Sequence, residues 1–198
     1  MLQNNLTGSA DRDPDRKAYR YLEHAITYQQ LDREGNRLSR LLAELGVSRG
    51  DKVGIMLDRR METPLAIYAI LKAGAAFVPM DPAMPIARVR GIIQSCDMSL
   101  LISTRSQREK LQSVALDLNT DLVVIDCETG AQSQPPDKGC RFIPLSAAES
   151  FGHSALPVPR ISSSDTAYIM FTSGSTGIPK GIVHTHDSGN AYARLSVR

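Results

Sequence analysis

Leu31, Leu38, Leu41, Leu42 and Leu45 recur at a spacing of three and four, with Arg33, Arg37, Arg40 and Glu44 between them. That period predicts an amphipathic helix over residues 28–45, stopped by Gly46. The run VGIML at 53–57 is almost continuously apolar, as a strand covered on both faces requires. A second helix is predicted over 61–72, with Pro64 in its first turn and Gly74 behind it. Residues 76–80 form the next strand, ended by Pro79, Pro82 and Pro85 because proline cannot continue a ladder. A helix follows over 86–95, then strands over 100–103 and 122–125 on either side of a helix over 107–115. Polar stretches between Cys127 and Cys140 and between Ser150 and Ser164 read as surface connections. The pattern closes with a strand over 167–171, a glycine-rich loop, a strand begun at 182–184 and a helix barely begun after Asp187. Helix and strand alternate from Thr27 onward, so the expected fold class is α/β with a mostly parallel sheet joined by crossover helices. Residues 1–26 read as a polar N-terminal segment ahead of one unit over 27–198, with no internal repeat.

Composition narrows the function classes. With 42% apolar and 22% charged residues in 198, the chain has the make-up of a globular domain, not of a disordered or fibrous one. Its formal charge of +2 is dispersed along the chain, which argues against nucleic acid as the main partner. Cys96, Cys127 and Cys140 are an odd set without a C-x-x-C pair, as expected of inert, reduced thiols in the cytoplasm. The acidic, polar start lacks the basic flank and apolar run of a secretory signal. The longest apolar stretch, 65–80, is broken by Lys72 and Gly74 and falls short of the about 20 residues that span a bilayer, so no membrane is expected as a partner. The Asn5-Leu6-Thr7 sequon is therefore expected to stay unglycosylated.

The segment with the most chemistry is TAYIMFTSGSTGIPKG, residues 166–181. Gly174 and Gly177 let the backbone approach an anion closely. Successive amides and the hydroxyls of Thr172, Ser173, Ser175 and Thr176 can donate to phosphate oxygens, and Lys180 adds a positive charge. A solvated turn is the bland alternative for any such loop. The usual P-loop requires Gly-Lys followed by Ser or Thr, whereas here Pro179 precedes the lysine and Gly181 follows it. No G-x-G-x-x-G is present, so a dinucleotide site has no support.

This string closely resembles the signature of the adenylate-forming (AMP-binding) enzymes, the superfamily of acyl-CoA synthetases, luciferases and peptide-synthetase adenylation domains. ITYQQL at 26–31 and LKAGAAFVPMD at 71–81 resemble the first two core motifs of the peptide-synthetase branch, in the right order. The resemblance extends from about residue 27 and is greatest to the N-terminal part of an adenylation domain. It implies ATP-dependent activation of a carboxylic acid, usually an amino acid, through an acyl-adenylate, with magnesium accompanying ATP, pyrophosphate leaving and a carrier-protein thiol receiving the acyl group. Thr172, Ser173, Gly174, Ser175, Thr176, Gly177 and Lys180 would then hold the β and γ phosphates.

The later family motifs for the acyl pocket, adenine, ribose and hinge, and the catalytic lysine of the small C-terminal domain, have no counterpart after Gly181. The chain alone is therefore expected to bind ATP only weakly, at about millimolar, or roughly 4 kcal/mol, and not to adenylate anything. An incomplete parallel sheet leaves an open edge, which favours self-association or a complementing segment. The alternative is a non-catalytic interaction or regulatory module descended from such an enzyme. His184 and His186, two apart, would share one face if both lay on a strand; a structural or helix-entry role is expected, with a metal pair as the other option. In the family a histidine near the position of His186 lies close to the acyl site.

Overall fold

The computed structural model describes residues 1–156, 161–172 and 179–196. It opens on a helix, α1 (Leu2–Arg12), and an antiparallel hairpin of β1 (Lys17–Tyr21) and β2 (His24–Thr27), in a segment whose pattern predicts no element. Of α1 only Gln3 and Leu6 are buried, too few to leave a readable period. The hairpin turns through Leu22 at φ 53°, where an Asn-Gly or Asp-Gly pair would have announced it. Thr27 then caps α2 (Tyr28–Glu44): its hydroxyl accepts from the Gln30 amide at 3.2 Å, while the Thr27 amide donates to Gln30 Oε1 at 2.9 Å. This reciprocal pair satisfies two otherwise orphaned amides and fixes the helix start.

The remaining elements are β3 (Lys52–Ile55), α3 (Glu62–Lys72), β4 (Ala76–Pro79), α4 (Ile86–Cys96), β5 (Leu100–Ser103), α5 (Arg108–Leu118), β6 (Leu122–Asp126), β7 (Cys140–Pro144), β8 (Thr166–Thr172), β9 (Lys180–Thr185) and α6 (His186–Ser196). The main sheet has the order β7-β6-β5-β3-β4-β8-β9. It is parallel from β7 to β8, and β9 alone runs antiparallel to its neighbour. The expected mostly parallel α/β sheet is present, but β9 returns by a hairpin instead of a crossover helix, and β7 is an additional strand. Helices α4 and α5 run past their expected ends because Asp97 and Asn119, at φ 51° and 49°, close them where a glycine would be the usual signal.

Helices cover both faces, which is why the strands lack alternation. Leu101 joins Val89, Ile92, Leu111 and Val114 of α4 and α5, whereas Leu100 and Ile102 join Leu38, Leu42, Ala66 and Ile70 of α2 and α3. Each fully buried leucine or isoleucine contributes about 1.5–3 kcal/mol. Gly54 of β3 exists for contact: a Cβ there would stand 2.8 Å from Met80 Cε and 3.0 Å from Leu101 Cδ2. Gly54→Val is expected to destabilise the fold by about 1–3 kcal/mol through overpacking, measured as a lower urea midpoint at unchanged slope.

One polar network ties the helices together on the α2 and α3 face. Lys72 Nζ, in a residue only 8% exposed, donates to Asp32 Oδ1 and Asn36 Oδ1, both at 2.8 Å. Thr7 of α1 donates to the same Asp32 oxygen at 2.9 Å, and Asn36 Nδ2 donates to the His153 carbonyl at 2.8 Å.

Candidate functional site

In the sheet order β3 lies between β4 and β5, so the chain steps to one side of β3 and then returns past it to the other. Such a reversal leaves a crevice at the carboxyl ends of the strands, the usual ligand position in an open α/β sheet. A cavity of about 430 Å³ lies beside that reversal, at the carboxyl ends of β3, β4 and β8, lined among others by Leu57, Asp58, Phe77, Met80, Met170 and Phe171. Strand β8 continues from Phe171 to Thr172, and β9 begins at Lys180, which is the register partner of Thr172. The glycine-rich loop is thereby hung from the rim of the crevice, with Thr172 and Lys180 facing each other across its base and both exposed. Ser173, Gly174, Ser175, Thr176 and Gly177 lie outside the described residues.

Toward the start of β8, away from the loop, this hairpin is stiffened by a ladder of rings across three strands. Phe77 of β4 stacks on Tyr168 of β8 at 5.2 Å, and Tyr168 stacks on His184 of β9 at 4.5 Å, with interplanar angles of 19° and 10°. Cross-strand ring pairs of this kind hold register. Just before the start of β8, Arg49 grips Asp165 through Nε at 2.7 Å and through its terminal nitrogen at 2.8 Å. That guanidinium and the Ser162 amide hold the Asp165 carboxyl down at about 2.

The two histidines diverge, which removes the metal pair. His184 stays on β9 in the ring ladder, whereas His186 is the first residue of α6 and is 1% exposed. Its Nδ1 accepts from the Leu2 amide at 3.3 Å, the helix-entry role expected, with the N-terminal helix as an unforeseen partner. Among the described residues no three His, Cys, Asp or Glu side chains converge on a metal position. Burial pushes the His186 imidazole below its ordinary value, and the N-terminal ammonium adds to this against the pull of Asp165 and Asp187. The unfolded chain takes up that proton near pH 6.5 and the folded chain only at lower pH, so stability falls as pH drops below about 6.5. His186→Gln is expected to flatten the acid limb of a stability profile taken by denaturant titration at stepped pH.

The cysteines supply no nucleophile. All three are free and buried, and burial raises the Cys96 thiol and pushes Cys127 up to about 12 and Cys140 up to about 11. Little thiolate forms at neutral pH under those conditions. Cys127 lines a second cavity of about 370 Å³ whose walls carry Glu34, Glu62, Glu128 and Glu149. Four carboxylates at its walls disfavour phosphate there.

Comparison with known proteins shows the family. The AMP-binding enzyme family model matches residues 6–197, and the chain belongs to that family. The match takes in the hairpin and most of α1, ahead of the point where the sequence resemblance begins. Bacitracin synthase 3 of Bacillus licheniformis is 32% identical over 179 residues, 90% of this chain and 2% of that protein. Surfactin synthase subunit 2 of Bacillus subtilis (strain 168) is 35% identical over 182 residues, 90% of this chain and 4% of that protein. The anthranilate CoA ligase AuaEII, solved with anthranoyl-AMP, shares the fold at a TM-score of 0.84 and 22% identity, over 98% of this chain and 36% of that one. The nonribosomal peptide synthetase FmoA3, in its α-methyl-L-serine-AMP-bound form, superposes at a TM-score of 0.73 with 27% identity, over 98% of this chain and 19% of that one. This chain therefore spans a small part of the length of these relatives. No helix among the described residues is long and apolar enough to cross a membrane.

Proposed function

We propose that this chain supplies the phosphate-holding part of an ATP-dependent ligase that activates a carboxylic acid, in the first instance an amino acid, as its acyl-adenylate. The observation that carries the reading is the pairing of Thr172 with Lys180 at the carboxyl end of β8, which sets an ammonium and a hydroxyl across the base of a glycine-rich loop. When a carboxylate oxygen attacks the α phosphorus, the bond to the bridging oxygen breaks and charge builds on departing pyrophosphate. Donors fixed there beforehand stabilise that charge most. Lys180 and the hydroxyls and amides of residues 172–177 would meet the β and γ phosphates, with magnesium arriving as part of Mg-ATP. The apolar crevice beside them, with Asp58 at its wall, suits a group other than phosphate. The amino-acid preference is supported by the peptide-synthetase relatives.

By itself the chain holds the phosphates without completing the reaction, since adenine, ribose and acyl contacts belong to other parts of such an enzyme. Titration calorimetry with Mg-ATP and with pyrophosphate is expected to give dissociation constants of about a millimolar, and amino-acid-dependent pyrophosphate exchange on the same sample is expected to be absent. Absence of binding overturns the phosphate reading, and exchange by the chain alone overturns the need for more of the enzyme. A second reading, an interaction module, is favoured by the outer edge of β9, where Ile182 and Val183 are 48% and 58% exposed. Light scattering at rising concentration tests it: a strict monomer counts against self-association through that edge.

A further inference from the structure

His186 and Gly189 lie three residues apart on one flank of α6 and together receive the first turn of α1. A Cβ on Gly189 would stand 2.7 Å from Leu2 Cδ1, so the leucine rests directly on the backbone of α6. His186, only 1% exposed, accepts the Leu2 amide at Nδ1. That amide belongs to the first turn of α1, where no carbonyl of the same helix can reach it, and the imidazole serves as its cap.

Little else holds α1 in place. Of its residues only Gln3 and Leu6 are buried, and Gln3 Oε1 is buried without a hydrogen-bond partner among the described residues, which works against docking. Two further side-chain bonds, Asn5 to Asn190 and Thr7 to Asp32, lie at the surface. An element with so few buried contacts opens more readily than the sheet.

The bond from Leu2 exists only while the ring is neutral. In an imidazolium both ring nitrogens are donors, so a proton on Nδ1 sets one N–H against another and places a charge where water is excluded. The charged groups acting on the ring come from each side: the N-terminal ammonium ahead of α1 disfavours the cation, whereas Asp165 before β8 and Asp187 on α6 favour it. Both carboxylates are engaged elsewhere, Asp165 by Arg49 and Asp187 by the Ser163 hydroxyl. Burial is the larger influence and keeps the imidazole below its ordinary value.

We propose that the contact between α1 and α6 is an acid-released latch: a proton on His186 Nδ1 expels Leu2, and α1 leaves α6 while the sheet stays folded. Release bares Leu2 and Leu6. The inference is independent of the phosphate reading and needs no nucleotide for its test.

That test is hydrogen exchange of the whole chain, read by mass spectrometry at about pH 7.5 and about pH 5.5 with intrinsic rates corrected, in wild type and His186→Gln. An open form that takes up the proton near pH 6.5 gains about tenfold over a closed form that excludes it for each unit below that pH. Wild-type α1 amides are expected to be at least about a hundredfold less protected than those of β3, β5 and β6, because they exchange by a local opening. They should lose about a further tenfold at the lower pH. Glutamine accepts the Leu2 amide through Oε1 and takes up no proton, so α1 of His186→Gln should be equally protected at both pH values. Protection in α1 equal to that of the sheet overturns the latch, since α1 would then leave only when the whole molecule unfolds. So does wild-type α1 protection that ignores pH, or an acid loss that persists in His186→Gln. Should His186→Gln fail to fold, an NMR titration of the wild-type imidazole decides. A midpoint below about 6.5 beside an acid loss in a locally opening α1 supports the latch, and a midpoint at or above that value overturns it.

Discussion

Lys180→Ala is expected to lower affinity for pyrophosphate and Mg-ATP by about tenfold to a hundredfold, the range for losing a hydrogen bond to a charged group. The fold should survive, because Lys180 is exposed at the first position of an edge strand and supports no core contact. Thr172 keeps its backbone pairing across the hairpin in the variant, so the base of the loop is retained. Calorimetry measures the affinity and circular dichroism the fold. An unfolded variant would move Lys180 from ligand contact to structural support.

The largest effect on stability is expected from Lys72→Ala. The ammonium is shared between Asp32 and Asn36, and the Asp32 side chain is only 16% exposed. Removing the cation leaves that carboxylate nearly buried with the Thr7 hydroxyl and a long 3.4 Å donation from Asn36. Breaking one side of a buried pair destabilises by about 3–5 kcal/mol, whereas replacing both partners by apolar groups is often close to neutral. Urea denaturation should therefore show a deep loss for Lys72→Ala and much of it recovered in Lys72→Met combined with Asp32→Leu. A loss below about 1 kcal/mol, the value of an exposed pair, would mean that water reaches the site.

The sequence is most legible where burial is two-sided and long. β3, β5 and the core helices announce themselves because every residue of LLIS at β5 is buried and the leucines of α2 share one face. Strand direction is another matter: an apolar run reads the same whether its neighbour is parallel or antiparallel, so nothing in KGIVHT declares β9 reversed. β7 hides behind a polar connection, although Cys140, Phe142 and Ile143 are buried. Of the candidate site, residue type alone singles out Thr172 and Lys180, and the structure adds that they pair.

The contact between α1 and α6 has a topological consequence. Leu2 meets His186, and Asn5 Nδ2 donates to Asn190 Oδ1 at 2.9 Å, so the two outermost helices of the described fold lie side by side although their residues are about as far apart in order as this chain allows. The pairs Leu2–His186 and Asn5–Asn190 run in the same direction, so the two helices lie parallel and the contact joins their starts. A flexible linker from the end of α6 to the start of α1 must return along α6, roughly 15 Å at about 1.5 Å per residue, and removes closure entropy from the unfolded chain. New ends opened within residues 128–136 would cut no strand, making that surface connection the natural place to re-cut the ring into a circular permutant with the same sheet order.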